Sequence, residues 1–193
     1  MIGNDVVDLR HPDCRAGARH PRWDARVFGA AERDLIRRSS SPDHMRWKLW
    51  SAKEAAFKVL RRMDPAIGFL SGNIQVDAVE ESRAMVRAPG QALALRWIET
   101  DDYVHALAIP DTLVSHCVIG IALKGDGDES SAVRNLAMTA LDESTGLQGP
   151  WRIHRGADRI PWGRCRSGRS LPLSFSHHGR FVACAFAIPG DHS

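Results

Sequence analysis

Between Pro42 and about Arg62 apolar residues return every three to four positions, the spacing of one face of a helix. At about 100° per residue, Met45, Leu49, Ala52, Ala56, Leu60 and Met63 share one side, and Trp47, Trp50, Glu54, Lys58 and Arg61 lie nearly opposite. Ser41 as N-cap, Pro42 at the first helical position and Asp43 in the first turn mark the start; the helix should stop before Pro65. Upstream, Ile2, Val6, Val7 and Leu9 read as a first strand interrupted by Asp5 and Asp8. Asp is depleted in strands, so either a turn begins here or a carboxylate is being presented. Residues 11–22 are rich in Pro, Gly and Arg and read as a loop. Trp23, Val27, Ala31 and Leu35 then recur at i,i+4, with Gly29 breaking the run into two short helices and Glu32 on the second.

Strand patterns follow at Asn73–Val79, Ala84–Arg87, Ala92–Glu99 and Tyr103–Ile109, separated by turn residues. After Pro110-Asp111 the pattern restarts. Val118–Leu123 is a strand, and a helix carries Val133, Leu136, Ala137, Ala140 and Leu141 on one side and ends near Gly146. Strand-like pieces resume at Trp151–His154, Leu171–Ser176 and Phe181–Ile188. The stretches 103–110 and 181–189 resemble each other loosely, and Ile2-Gly3 echoes Ile119-Gly120, as in a duplicated lobe. The expected fold class is α+β: two similar lobes, residues 1–112 and 113–193, each an antiparallel sheet packed on a long helix, forming a pseudo-dimer. Ala122 stands where Asp5 would repeat, and the second helix lacks Lys-Glu-Ala, so one active site per chain is expected.

Composition narrows the class. A chain of 193 residues with 44% hydrophobic residues is one large domain or two small lobes. No run approaches the roughly 18 apolar residues of a membrane span, and the N-terminus lacks a basic-then-apolar layout, so a cytoplasmic protein with no membrane partner is expected. Cys14, Cys117, Cys165 and Cys184 show neither zinc-ligand nor disulfide-framework spacing. The net charge of +3 is mild, but Arg10, Arg15, Arg19, Arg22, Arg26, Arg33, Arg37, Arg38 and Arg46 cluster. They suit an acidic partner or polyphosphate, or simply a solvated basic surface. No nucleic-acid motif accompanies them, so no nucleic-acid partner is expected; a basic nucleic-acid-binding domain would have only the charge in its favour.

The helix face bearing Glu54 and Lys58 admits two readings. One is a solvated i,i+4 pair, which stabilises a helix by only about 0.2–0.5 kcal/mol. The other, favoured by the tryptophans beside it, is a partly dry place where a carboxylate has a cation or metal as neighbour.

Four elements together carry a resemblance. They are Gly3-Asn4-Asp5, Phe28-x-x-x-Glu32, Trp50-Ser51-Ala52-Lys53-Glu54-Ala55 with Lys58, and a late Ser176-His177. The chain resembles the 4'-phosphopantetheinyl transferases, whose G-x-D, F-x-x-x-E and W-x-x-K-E-A-x-x-K elements the first three match in order and at plausible spacing. Residues 168–185 are similar to the G-K-P and S-H-S-G-x-x-V-x-C-A segment of the larger, two-lobed members. There that segment precedes the metal-binding lobe; here it follows, so the lobe order looks swapped, with an N-terminus like that of the small holo-acyl-carrier-protein synthases.

The resemblance implies transfer of phosphopantetheine from coenzyme A to a serine of an acidic apo acyl or peptidyl carrier protein in fatty acid or polyketide synthesis, releasing 3',5'-ADP with Mg²⁺ on the pyrophosphate. Asp5 and Glu54 would hold the metal, with a water in place of a second acid at Val7. Lys58 would reach the pyrophosphate, and Glu54, or a water it orients, would be the base for the serine. Ser176 and His177 would contact coenzyme A from the second lobe, although a lone His at a strand end is also commonly structural. Arg169, where the family has Lys, would suit the 3'-phosphate, and Ser170 replaces the following Pro. Arg134 is a further phosphate candidate. The arginines of residues 10–38 would dock the carrier, and Trp47 and Trp50 are expected at the lobe interface. A monomer is expected, since the second lobe supplies the Ser-His segment. A degenerate coenzyme A or nucleotide-binding module without transferase activity is the alternative.

Overall fold

The computed structural model describes residues 1–68, 71–77, 79–88, 90–110, 116–146, 150–156 and 159–188. The expected boundary at 112/113 lies outside them, as do Ala78, Pro89 and Pro189 of the expected strand and turn segments.

Strand β1 (Gly3–Asp8) is buried along its length except for Asp5, which is half-buried. Two short helices follow, α1 (Trp23–Val27) and α2 (Ala30–Arg38), divided at Gly29 as the spacing predicted. The buried side of α2 is not the Ala31–Leu35 stripe, however; Glu32 and Ile36 are buried instead. Glu32 explains the difference, because its carboxylate lies 2.8 Å from Lys53 Nζ and accepts from the Val76 amide at 2.9 Å. A buried charge must find such partners, and the helix turns to supply them.

The long helix α3 (Pro42–Met63) begins after Ser41 as predicted, although the Ser41 side chain makes no capping bond. Strands β2 (Gln75–Asp77), β3 (Arg83–Ala88), β4 (Gln91–Glu99) and β5 (Tyr103–Ile109) join β1 in an antiparallel sheet of order β1-β5-β4-β3-β2. Leu49, Ala52, Ala56 and Leu60 of α3 are buried with Val86, Leu93, Leu95, Val104 and Ala106 of the sheet. Each large aliphatic side chain buried this way contributes about 1.5–3 kcal/mol. Met63, at the end of the predicted stripe, is exposed.

The second half contains β6 (Cys117–Leu123), α4 (Glu129–Thr145), β7 (Arg152–Arg155), β8 (Pro161–Arg164), β9 (Ser170–Pro172), β10 (Ser174–His178) and β11 (Phe181–Ala187). Asp128 caps α4 through the Ser131 amide, and Gly146 ends it in a left-handed conformation. Val133, Ala137 and Leu141 pack against Val182, Cys184 and Phe186, so this half too sets a helix on an antiparallel sheet, β10-β11-β6. A second three-stranded sheet, β7-β8-β9, is added beside it. Its middle strand, Pro161-Trp162-Gly163-Arg164, reads locally as a chain breaker and is invisible to a strand pattern. A Cβ at Gly163 would stand 2.8 Å from Leu141 Cδ1, so any larger residue there makes the Leu141 side chain shift. The expected run Leu171–Ser176 divides at Leu173, whose amide donates to Pro161 O at 2.8 Å, and so serves two sheets.

The halves meet through Ile2, Leu107 and Ile109 against Ala185, and through Val6 against Phe181 and Ala183. Trp47 and Trp50 are not at this junction. Trp47 is buried with Val7 and Cys14, its Nε1 donates to Cys14 O at 3.2 Å, and both tryptophans pack on Trp23 with centroids 5.3–5.5 Å apart. The arginine-rich loop folds over these rings and gives the indole its polar partner, so the cluster is internal to the first half. Among the described residues no helix is long and apolar enough to cross a membrane.

Candidate functional site

The site begins with a glycine. A Cβ on Gly3 would stand 2.1 Å from Ala55 O, so only glycine lets β1 run against α3 here. That approach brings the next residues of β1 to the next turn of α3. Lys58 Nζ donates to Asn4 O at 2.7 Å and to Asp5 Oδ1 at 2.9 Å. Glu54, one turn earlier on α3, is held in the same dry corner. Burial, and then the Asp5 charge, push its carboxyl up to about 7, with Lys58 opposing. Burial also raises Asp5, again against Lys58. Two neighbouring carboxylates that resist ionising together are stabilised by a proton or a cation.

A buried polar network sets the backbone of this corner. The Asn4 amide donates to Ser174 Oγ at 3.0 Å, and its side-chain nitrogen donates to Ser174 O at 2.6 Å. Asn4 Oδ1 accepts from Ser176 Oγ at 2.7 Å and lies 3.3 Å from His105 Nε2. Burial, and then Lys58, depress His105 to about 3, so it stays neutral. Each of these residues is buried and hydrogen-bonded, although His105 Nδ1 has no partner among the described residues, and the network fixes how the two halves sit beside Asp5.

Glu54 and Lys58 open into a cavity of about 470 Å³ whose wall includes Arg61 and Arg62 of α3, Ser174 and Phe175 of β10, and Arg155 and Arg159 from the β7–β8 hairpin. Arg62 also ties the halves, donating to Ile2 O at 2.7 Å and to Leu173 O. Five cationic side chains against one carboxylate on the wall give it the charge that suits a multiply charged anion.

Asp5, Glu54 and Lys58, predicted as a set, are thus brought together. His177 lies near enough for its charge to act on Asp5, although its Nδ1 is 2.8 Å from Glu129 Oε2 and half its side chain is exposed. Ser176 is buried on Asn4 and is not part of the cavity wall. Nor are Arg169 and Arg134. Arg134 lies against Ser130 Oγ at 3.3 Å and Ile153 O at 3.5 Å. Arg155 and Arg159 were missed, because their hairpin has no motif; an arginine pair flanking a turn was the one available sign. Asn4 and His105 were missed because a buried polar contact 101 residues apart leaves no local pattern.

The expected docking arginines are partly engaged internally. Arg37 binds Asp34, and Arg33 donates to Phe28 O at 2.9 Å. Arg15, Arg22 and Arg38 are exposed.

A model of the 4'-phosphopantetheinyl transferase superfamily matches residues 1–108, which contain Asp5, Glu54 and Lys58. The chain belongs to this superfamily. No curated protein matches it. Among solved structures, the holo-[acyl-carrier-protein] synthase of Thermotoga maritima aligns at 14% identity over 89% of this chain and 83% of that one, with a TM-score of 0.40. Membership places the chain among enzymes of phosphopantetheinyl transfer, a family that uses coenzyme A as substrate, generally with a divalent metal, and a carrier protein as partner. The donor set agrees with a metal. Magnesium takes one or two carboxylates with phosphate oxygens and waters, and no group of three or more His, Cys, Asp or Glu converges among the described residues to make a fuller protein cage. Val7, where a water was expected in place of a second acid, is buried against Cys14 and Trp47.

Proposed function

We propose that this chain transfers 4'-phosphopantetheine from coenzyme A to a serine of an acidic apo carrier protein, as a Mg²⁺-dependent, cytoplasmic monomer of the holo-acyl-carrier-protein synthase type. The observation that carries the reading is Glu54 and Lys58 on the wall of a cationic cavity, with Asp5 paired to Lys58 at 2.9 Å. The serine Oγ–phosphorus bond forms, the bond from that phosphorus to 3',5'-ADP breaks, and the serine proton goes to Glu54 or to a water it orients. Burial and Asp5 raise the Glu54 carboxyl to about 7 without metal, and a bound Mg²⁺ would favour its ionised form, which can accept the proton or orient the accepting water. Lys58 offers a fixed positive charge to the pyrophosphate, the main demand of phosphoryl-type transfer. Asp5 and Glu54 would hold Mg²⁺, which neutralises pyrophosphate charge when bound. His177, Arg169, Arg134 and Ser176 belong to this reading as contacts around the coenzyme, with Ser176 acting through Asn4. The exposed arginines of residues 10–38 face the acidic carrier.

The test incubates the protein with coenzyme A, Mg²⁺ and a panel of apo carrier proteins and reads the carrier mass. Addition of phosphopantetheine is expected. Coenzyme A binding without addition to any carrier would favour a non-catalytic binding module.

A further inference from the structure

The cavity carries more positive charge than a pyrophosphate beside Lys58 requires, and the excess comes from an unexpected element. Arg155 closes β7, and Arg159 follows the turn before β8, so both project from one hairpin of the second half onto the wall opened by α3. Neither forms an ion pair with a carboxylate among the described residues. Arg159 is also the one non-glycine with positive φ among the described residues, at 63°, with its amide donating to Gly156 O at 2.9 Å. Glycine would occupy that left-handed position without strain, so the arginine is held there against local preference. A residue held in a sparsely populated backbone region on a cavity wall is a recurrent sign of function. Arg61 faces the same cavity one turn beyond Lys58, roughly 5 Å further along the helix axis by the rise of about 1.5 Å per residue.

We propose that Arg155 and Arg159 form a subsite for a terminal phosphate monoester, which under the transferase reading on which this rests is the 3'-phosphate of coenzyme A. A guanidinium pair is suited to it, because a monoester dianion presents several acceptor oxygens to planar, forked donors. The hairpin then distinguishes coenzyme A from dephospho-coenzyme A, and Arg169, outside the cavity wall, does not.

Isothermal titration with coenzyme A and dephospho-coenzyme A tests this without turnover. The wild type should prefer coenzyme A. Arg155→Ala and Arg159→Ala should each weaken coenzyme A roughly 10–100-fold while leaving dephospho-coenzyme A within about threefold. Arg159→Gly keeps the backbone shape and relieves the left-handed arginine. It should melt no lower than wild type yet lose the same discrimination, which separates ligand recognition from folding. Equal losses for both ligands, or discrimination lost in Arg169→Ala and kept in the hairpin variants, would overturn the subsite. A wild type that transfers phosphopantetheine but binds both ligands alike would overturn it too and leave the transferase reading standing. Discrimination that maps to the hairpin without any transfer would retain the subsite and sink that reading.

Discussion

Lys48, Lys53 and Lys58 of helix α3 each pair with a carboxylate, and the last two pairs, five residues apart, serve opposite ends. Lys53 and Glu32 meet at 2.8 Å with essentially no exposed surface, and Lys53 also donates to Ile74 O. Lys58 and Asp5 meet at 2.9 Å, but Lys58 keeps about a quarter of its side chain open to the cavity. The Lys-Glu-Ala-x-x-Lys motif therefore mixes a structural lysine with a chemical one. The helical phase decides between them: residue 53 turns toward α2, while 54 and 58 turn together toward the second half. A buried pair has no freedom to serve a substrate. A pair at a cavity edge can exchange partners when an anion arrives.

The contrast can be broken experimentally. Glu54→Gln should reduce transfer by about 10³-fold or more without lowering the melting temperature, because it removes a carboxylate that burial already disfavours. Mg²⁺ should raise the melting temperature of the wild type and not of this variant. Full activity in Glu54→Gln would remove it from the site. Lys53→Met should instead cost about 3–5 kcal/mol in urea unfolding, since it leaves Glu32 buried and unpaired. A stable Lys53→Met protein devoid of transfer would reverse the two roles. Lys58→Ala should lower transfer by about 10²-fold and cost less stability than Lys53→Met, because Lys58 is partly solvated and the Asp5 it leaves behind, already raised by burial, can take up a proton.

The Asp8–Arg180 pair sharpens the picture through pH. Asp8 is buried, which alone would raise its carboxyl. Arg180 at 2.8–2.9 Å, with the Arg180 and Arg10 amides, instead holds it down to about 2. A folded pKa below the unfolded value of about 4 means the stabilisation is present above pH 4 and lost as pH falls through 2. Its size is on the order of 2 kcal/mol. Urea midpoints measured from pH 6 to 2 should fall along this limb in the wild type and less steeply in Arg180→Ala. Identical slopes would show that Asp8 does not carry the effect.

Much of the first half was legible because its signals are local. The two-faced period of α3, the Ser-Pro-Asp start, the break at Gly29 and the alternating strands all act within a few residues. The second half was less so: β8 looks like a breaker, and Leu171–Ser176 serves two sheets. The tryptophans misled in another way. Aromatics beside charges do signal a covered face, but what covers Trp47 and Trp50 is their own chain's 11–22 loop and Trp23.

By itself the sequence determined which groups could do chemistry: an aspartate placed in a strand after a glycine, and a glutamate and lysine one helical turn apart. Residue type and short-range geometry suffice for that. Only the tertiary structure decided which of these groups face a cavity and which are sealed. Gly3 admits the backbone of Ala55, Asn4 locks onto Ser174 and Ser176, and the β7–β8 hairpin brings Arg155 and Arg159 to a helix nearly a hundred residues earlier. Burial and long-range contacts are properties of the packed chain, and they set the charge state of Glu54 and the chemistry open to it.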